Sequence, residues 1–307
     1  MFTRNFSQDA IKALKEELLF KDHLLRDIVE GQCRGRQKNR NFVFPAVRDE
    51  RMDFYWNGGK LFSYKPPSGR QKSKFVTHHK FASVLLDNSK TKDGKTKNYI
   101  SEITLQNRKI RLIENFCEGY DRIKENCRRY SGLEALGVSS LYERFSCARK
   151  ERASFVVVLD IEASFAKDGS MEKDRIDIVA LDTENKTIRF AEAKHYSNRA
   201  SLRTSSEKSD VVDQMQGYAE QIRNNRDVIL QAYQAHVHVM NALFSASIPE
   251  PADVDTDPVL LIFGFDNEQQ DYYLKDKIEK PLQVDHKLRV YSIGDIKQCE
   301  LSEVFRK

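Results

Sequence analysis

Three charged residues, Asp177, Glu192 and Lys194, stand in stretches whose other residues are apolar and carry the period of a buried strand. The runs 175–181 and 187–194 read as two strands joined by the turn 182–186, Asp-Thr-Glu-Asn-Lys. In the second run Ile188, Phe190, Glu192 and Lys194 share one face, because strand side chains alternate. That face starts apolar and ends charged. In the first run Asp177 interrupts Ile176, Ile178, Val179, Ala180 and Leu181, where an unpaired buried carboxylate is costly unless a cation compensates it. So short a turn lets the strands pair, which brings Asp177 toward Glu192 and Lys194. Two carboxylates facing one ammonium make a poor salt bridge but a good oxygen site for a hard divalent cation, Mg2+ with Mn2+ as its substitute. Phosphodiester hydrolysis is the chemistry this suits. A cation held by Asp177, Glu192 and the carbonyl of Ala193 polarises the phosphate and binds the attacking water, while Lys194 orients that water or neutralises developing charge.

His195, at the strand end, is a secondary candidate that either reaches the phosphate or caps the strand. Asp160 and Glu162 alternate with Val156 and Val158 in the strand run 155–165, so they either extend the acidic cluster or form an exposed strand end. His236 and His238 sit two apart on a helix and face away from each other, which excludes a shared metal. They read as structural, as do His78 and His79, although the latter pair lies in a basic stretch within reach of phosphate.

The elements that must position these residues follow from periodicity. A helix is predicted over 8–30, then short β runs at 41–47, 52–56 and 60–65, the last two joined through Asn57-Gly58-Gly59, a type I′ hairpin signal. Phe54, Tyr55, Trp56, Phe62 and Tyr64 of this hairpin read as core in preference to a base-stacking surface. A helix over 103–127 and another capped by Ser139 or Ser140 come next, then the three strands, a long helix over 210–244 with a break at 224–226, a strand at 259–265, a helix at 267–279 and a strand at 288–292. This order describes an α/β fold with a mixed central sheet flanked by helices, preceded by an α+β module. The boundary is placed between 1–131 and 132–307.

The chain has 307 residues, of which 40% are apolar and 32% charged, an ordinary globular composition. Its apolar runs fall far short of the ~18–20 residues that a membrane-spanning helix needs. The opening Met-Phe-Thr-Arg-Asn-Phe passes straight into a charged stretch without the apolar core of an export signal, so a cytoplasmic location is expected. Five dispersed cysteines offer neither a disulfide framework nor zinc spacing. Charge is uneven. Residues 1–150 hold 31 Lys/Arg against 18 Asp/Glu, and residues 151–307 hold 20 against 28. A basic half beside a carboxylate-rich half fits a polyanion surface next to a site that uses acids, and Arg34, Arg36, Lys38, Arg40, Lys72 and Lys74 are the candidate nucleic-acid contacts.

The spacing of Asp177, Glu192 and Lys194 on consecutive strands, followed by Gln214 and Tyr218 four apart on one face of the next helix, resembles the PD-(D/E)XK nuclease superfamily, in particular its RecB-like branch with a Q-x-x-x-Y motif. The resemblance covers roughly residues 138–266. It implies a restriction-endonuclease-like core and a Mg2+-dependent endonuclease, with DNA ahead of RNA as substrate. It further implies that Gln214 and Tyr218 lie over the site, holding the lysine and the nucleic-acid backbone. Glu143 on the preceding helix would complete the metal site through water, with Glu134, Glu151 and Glu162 as competitors. Ile176 stands where the family's eponymous proline would be, which leaves Asp174 as a minor rival to Asp177. Restriction or anti-phage defence, a helicase or ATPase partner, and assembly into at least a dimer are further expectations by analogy. The alternative is a nucleic-acid-binding or assembly subunit that keeps the fold without turnover.

Overall fold

The structure is a computed structural model that describes residues 2–30, 42–78, 81, 99–101, 120–152, 154–164, 175–202 and 210–306. Arg34, Arg36, Lys38, Arg40, His79, Asp174 and residues 103–119 of the helix predicted over 103–127 lie outside them.

The N-terminal region forms α1 (Gln8–Glu16), a π-helical turn Phe20–Leu24 and α2 (Leu25–Val29). The helix predicted over 8–30 is therefore broken. Ser7 caps α1 through the Ala10 amide, but Glu17 turns extended and its carboxylate takes a hydrogen bond from Ser73. An antiparallel sheet follows, with strand order β1 (Phe44–Arg48), β2 (Arg51–Trp56), β3 (Gly59–Lys65), β4 (Lys74–His78) and β5 (Tyr99–Ser101). Asn57 and Gly58 both take positive φ, 49° and 80°, as the predicted hairpin turn requires. All five aromatics of that hairpin are buried, so they serve as core and present no stacking surface.

After α3 (Tyr120–Arg128) and α4 (Leu133–Phe145) comes a six-stranded mixed sheet. β6 (Val156–Ser164), β7 (Arg175–Asp182) and β8 (Thr187–His195) form an antiparallel meander. A short α5 (Arg199–Leu202) and two long helices, α6 (Asp210–Asn224) and α7 (Arg226–Phe244), return the chain to the sheet, with the break where it was predicted. β10 (Val259–Phe263) then pairs parallel with β8, β11 (Arg289–Ile293) pairs parallel with β10, and the two-residue β9 (Asp253–Val254) pairs with the start of β8. Between β10 and β11 lie α8 (Asn267–Gln269) and π-helical turns, and α9 (Leu301–Val304) ends the described chain.

Strand alternation sorts this sheet into two layers. Val157, Leu159, Val179, Leu181, Ile188, Phe190, Leu260 and Ile262 pack with α6, α7 and the N-terminal elements, whereas Val156, Val158, Ala180, Ala191, Ala193, Val259, Leu261 and Phe263 pack with α4 and α9. α4 starts two turns before the predicted Ser139 or Ser140 cap. Those hydroxyls bond back to the carbonyls of Leu136 and Gly137 inside the helix, and Gly132 occupies the cap position.

The two sheets meet at Asp160, which is fully buried. Its carboxylate accepts from Arg4 at 3.0 Å, from Arg48 of β1 at 2.5 Å and from the Tyr233 hydroxyl of α7 at 3.1 Å. Asp160 therefore does not extend the acidic cluster. Plain alternation would put it on the α4 face with Val156 and Val158, and a bulge between Val158 and Asp160 turns it to the opposite face, toward α7. Burial raises its pKa, but Arg48 and Arg4 outweigh that and hold it at about 2. His236, one turn from Tyr233, is also fully buried, and burial lowers its imidazole from 6.5 to about 4.

Both shifts withdraw stability on the acid side. The unfolded chain binds a proton at His236 below about 6.5 that the fold refuses until about 4, and one at Asp160 below about 3.8 that the fold refuses until about 2. Urea denaturation is expected to lose about 3 kcal/mol between pH 6.5 and 4 from His236 alone. A flat profile across that window would contradict the buried neutral imidazole.

Candidate functional site

Asp177, Glu192, Lys194, Gln214 and Tyr218 converge at one end of the mixed sheet. β7 and β8 pair from Asp182 opposite Thr187 up to Ile178 opposite Ala191, and the pairing stops there. One residue farther, the Asp177 side chain replaces the ladder, accepting from the Ala193 amide at 2.9 Å. The amide and carbonyl of a strand residue point to the same side, so the Ala193 carbonyl opens on the same gap. The neighbouring rung explains the aim of Asp177. Ile161 and Ile178 belong to the α4 layer, yet their neighbours two residues on, Ala163 and Ile176, belong to the opposite layer. Both strands thus break alternation together, with Glu162 at φ 47° across from Asp177.

Glu192 is 2% exposed, and its Oε1 receives two donors, the Lys194 ammonium at 2.7 Å and the Gln214 amide at 2.9 Å. Its other oxygen, Oε2, is buried with no hydrogen-bond partner among the described residues, although the Asp177 main-chain amide acts on the carboxylate. Gln214 also donates to the Tyr218 hydroxyl at 2.9 Å, and Tyr218 donates to the Arg175 carbonyl at 2.5 Å. The i, i+4 pair on α6 therefore spans the gap, tying the start of β7 to the end of β8.

Electrostatics follow from this burial. Loss of solvent raises the pKa of Asp177 well above the usual range, and the charge of Glu192 adds to the rise. Burial raises Glu192 too, although Lys194 opposes it. For Lys194 burial acts downward, but the Glu192 charge and hydrogen bond outweigh it, so the ammonium is held charged. A buried carboxylate pair with one ammonium between two acids is an environment that a further cation would stabilise.

The helix carboxylate at this site is Glu134. In the first turn of α4, it accepts from the His195 amide at 3.3 Å and from Asn198 at 2.9 Å, and its charge acts on Asp177, Glu192 and Lys194. Glu143 lies nine residues on, about 13 Å along the helix axis, with its charge beside Arg149 and Tyr142. The expectation for Glu143 is corrected accordingly. Glu151 is exposed beside Arg149, and Glu162 pairs with Arg175 at 3.3 Å. His195 is held by Ser197 at 2.8 Å and set edge-on against Phe263, which makes it a fixture of the strand end. Lys72, exposed in the loop before β4, and Lys74, at the start of β4, are not among the groups acting on the carboxylate pair. Asn198 was not a sequence candidate, and only its closeness to Lys194 could have marked it.

Among the described residues no three His, Cys, Asp or Glu side chains converge as a ready metal cage. The donors present for a cation are the carboxylates of Asp177 and Glu192 and the Ala193 carbonyl, and the bare Glu192 Oε2 fits such an ion. No described helix is long and apolar enough to cross a membrane. Comparison with family models, with curated proteins and with solved structures finds no match to this chain.

Proposed function

We propose that this protein is a divalent-metal-dependent nuclease, with DNA preferred over RNA and cutting within strands. The observation that carries the reading is Glu192: a buried carboxylate with one oxygen fixed by Lys194 and Gln214 and the other without a hydrogen-bond partner among the described residues, whose charge acts on Asp177. A buried arrangement of this kind costs stability unless a ligand completes it, and such strain is a feature of sites kept for function. The mixed sheet flanked by helices, with all five motif residues at one end, supports a restriction-endonuclease-like fold.

Asp177, Glu192 and the Ala193 carbonyl would hold Mg2+ or Mn2+, which when bound supplies Lewis-acid polarisation of the phosphate and a more acidic water. The protein's own part is preorganisation. Gln214 and Tyr218 fix the separation of the strands, the Ala193 amide orients Asp177, and Lys194, held charged, places a cation beside the phosphate oxygens where negative charge develops. One such site cuts one strand, so double-strand cleavage would take two copies.

Incubating the protein with supercoiled plasmid, single-stranded DNA and RNA, each with Mg2+, Mn2+ or EDTA, tests the reading. Cleavage with either metal and none in EDTA is expected, with DNA cut before RNA. No cleavage of any substrate would count against a nuclease and favour a binding subunit with this fold.

A further inference from the structure

Beside this site the chain keeps two large apolar side chains in water. Tyr130, in the connection between α3 and α4, is 56% exposed and Leu133, the first residue of α4, is 58% exposed; the next residue, Glu134, reaches the end of β8. From Tyr130 to Glu134 the chain spans at most about 14 Å. Arg128 and Arg129, both exposed, immediately precede Tyr130. Ser131 and Gly132 lie between the two apolar residues, so a cation pair, an aromatic ring and an aliphatic side chain, all exposed, follow one another within six residues of chain.

This connection is firmly built. The amides of Arg129, Tyr130 and Ser131 donate to the carbonyls of Asn126, Cys127 and Arg128, and the Ser131 hydroxyl donates to the Asn57 carbonyl at 2.6 Å. The hairpin turn at Asn57-Gly58 lies against α4 so closely that a Cβ at Gly58 would come within 2.7 Å of the Ala135 backbone. Tyr130 also rests on Phe81, with ring centroids 5.9 Å apart. The exposed ring is therefore held in place and loses little freedom on binding, the condition under which an aromatic side chain makes an effective anchor.

We infer that Arg128, Arg129, Tyr130 and Leu133 form a substrate-strand platform, on which unpaired bases stack against Tyr130 and Leu133 while the two arginines hold the backbone a few nucleotides from the cleavage site. The ligand class is single-stranded nucleic acid, because stacking needs a base face that a duplex conceals. Adjacent arginines favour a polyanion over a second copy of this chain, whose edge would carry the same charge. The inference rests on the nuclease reading and names the substrate form of that site.

The test is fluorescence anisotropy of a labelled oligothymidylate in EDTA, which separates binding from cleavage. Tyr130→Ala is expected to weaken binding at least about tenfold, Tyr130→Phe to bind like wild type, and the Arg128→Gln, Arg129→Gln double variant to reduce the slope of log Kd against log salt by about 1.4. All these residues are exposed, so unchanged melting temperatures are expected as well. Equal binding by wild type and Tyr130→Ala would overturn the platform and leave the nuclease reading standing if wild type still cuts with Mg2+. The platform is equally overturned by no binding of single strands by wild type, or by Tyr130→Ala changing only the oligomeric state in light scattering. A wild type that neither binds nor cuts any nucleic acid would overturn both.

Discussion

Asp177→Asn is expected to lose cleavage by about 10³-fold while melting no lower than wild type. On the proposed nuclease reading the activity loss would follow from removing one of two carboxylates proposed to hold the cation, a class of change that costs about 10²–10³-fold or more. The stability expectation has a separate origin. Asn keeps the acceptor for the Ala193 amide and removes a buried carboxyl that burial and Glu192 both push toward its neutral form. A raised carboxyl contributes stability while protonated and loses that contribution as pH rises through its folded pKa, so in EDTA the wild type should fall behind Asp177→Asn as pH rises. Lower activity with equal or higher melting temperature marks a residue kept for function against stability. Loss of both together would assign Asp177 a structural role.

Asp160→Ala is expected to destabilise the fold by about 3–5 kcal/mol, because it strands the guanidinium groups of Arg4 and Arg48 in the interior. Arg48 keeps its bond to the Ile161 carbonyl at 2.7 Å and a longer ion pair with Asp53 at 3.8 Å, which compensate its buried charge only in part, while Arg4 loses its carboxylate partner. Asp160 joins the N-terminal segment, β1 and α7, so the loss should appear as a lower urea midpoint for the whole chain and not as local fraying. Replacing the group together, with Asp160→Leu, Arg4→Met and Arg48→Met, should recover much of the loss, since an apolar replacement of similar volume removes the desolvation cost as well as the attraction. A single-variant effect below about 1 kcal/mol would contradict the burial of this carboxylate.

Much of the candidate site was legible because its spacing is local. Glu192 and Lys194 share a face by alternation, the turn at 182–186 sets the register that brings Asp177 near, and Gln214 and Tyr218 share a helix face. What sequence could not read was nonlocal or irregular. α4 begins at a glycine cap without a side-chain signal, so its first turn, and with it the approach of Glu134 to β8, was hidden. The bulge that buries Asp160 leaves no mark in the alternation of polar and apolar residues, and its partners Arg4 and Arg48 lie 156 and 112 residues away. The break between α1 and α2 falls at Glu17, whose carboxylate meets Ser73, again a distant residue. Patterning describes elements well where each element's own neighbours decide its conformation, and poorly where a buried polar group chooses a partner from elsewhere in the chain.

The central claim is that Asp177 and Glu192 are built to take a divalent cation. Calorimetric titration of the metal-free protein with Mn2+, alongside Glu192→Gln, tests it most directly. The wild type should bind the ion with release of protons, because burial and the Glu192 charge push the Asp177 carboxyl toward its neutral form and it must ionise to coordinate the ion, and Glu192→Gln should bind far more weakly. A wild type that takes up no Mn2+, or one whose binding survives Glu192→Gln unchanged, would contradict the claim.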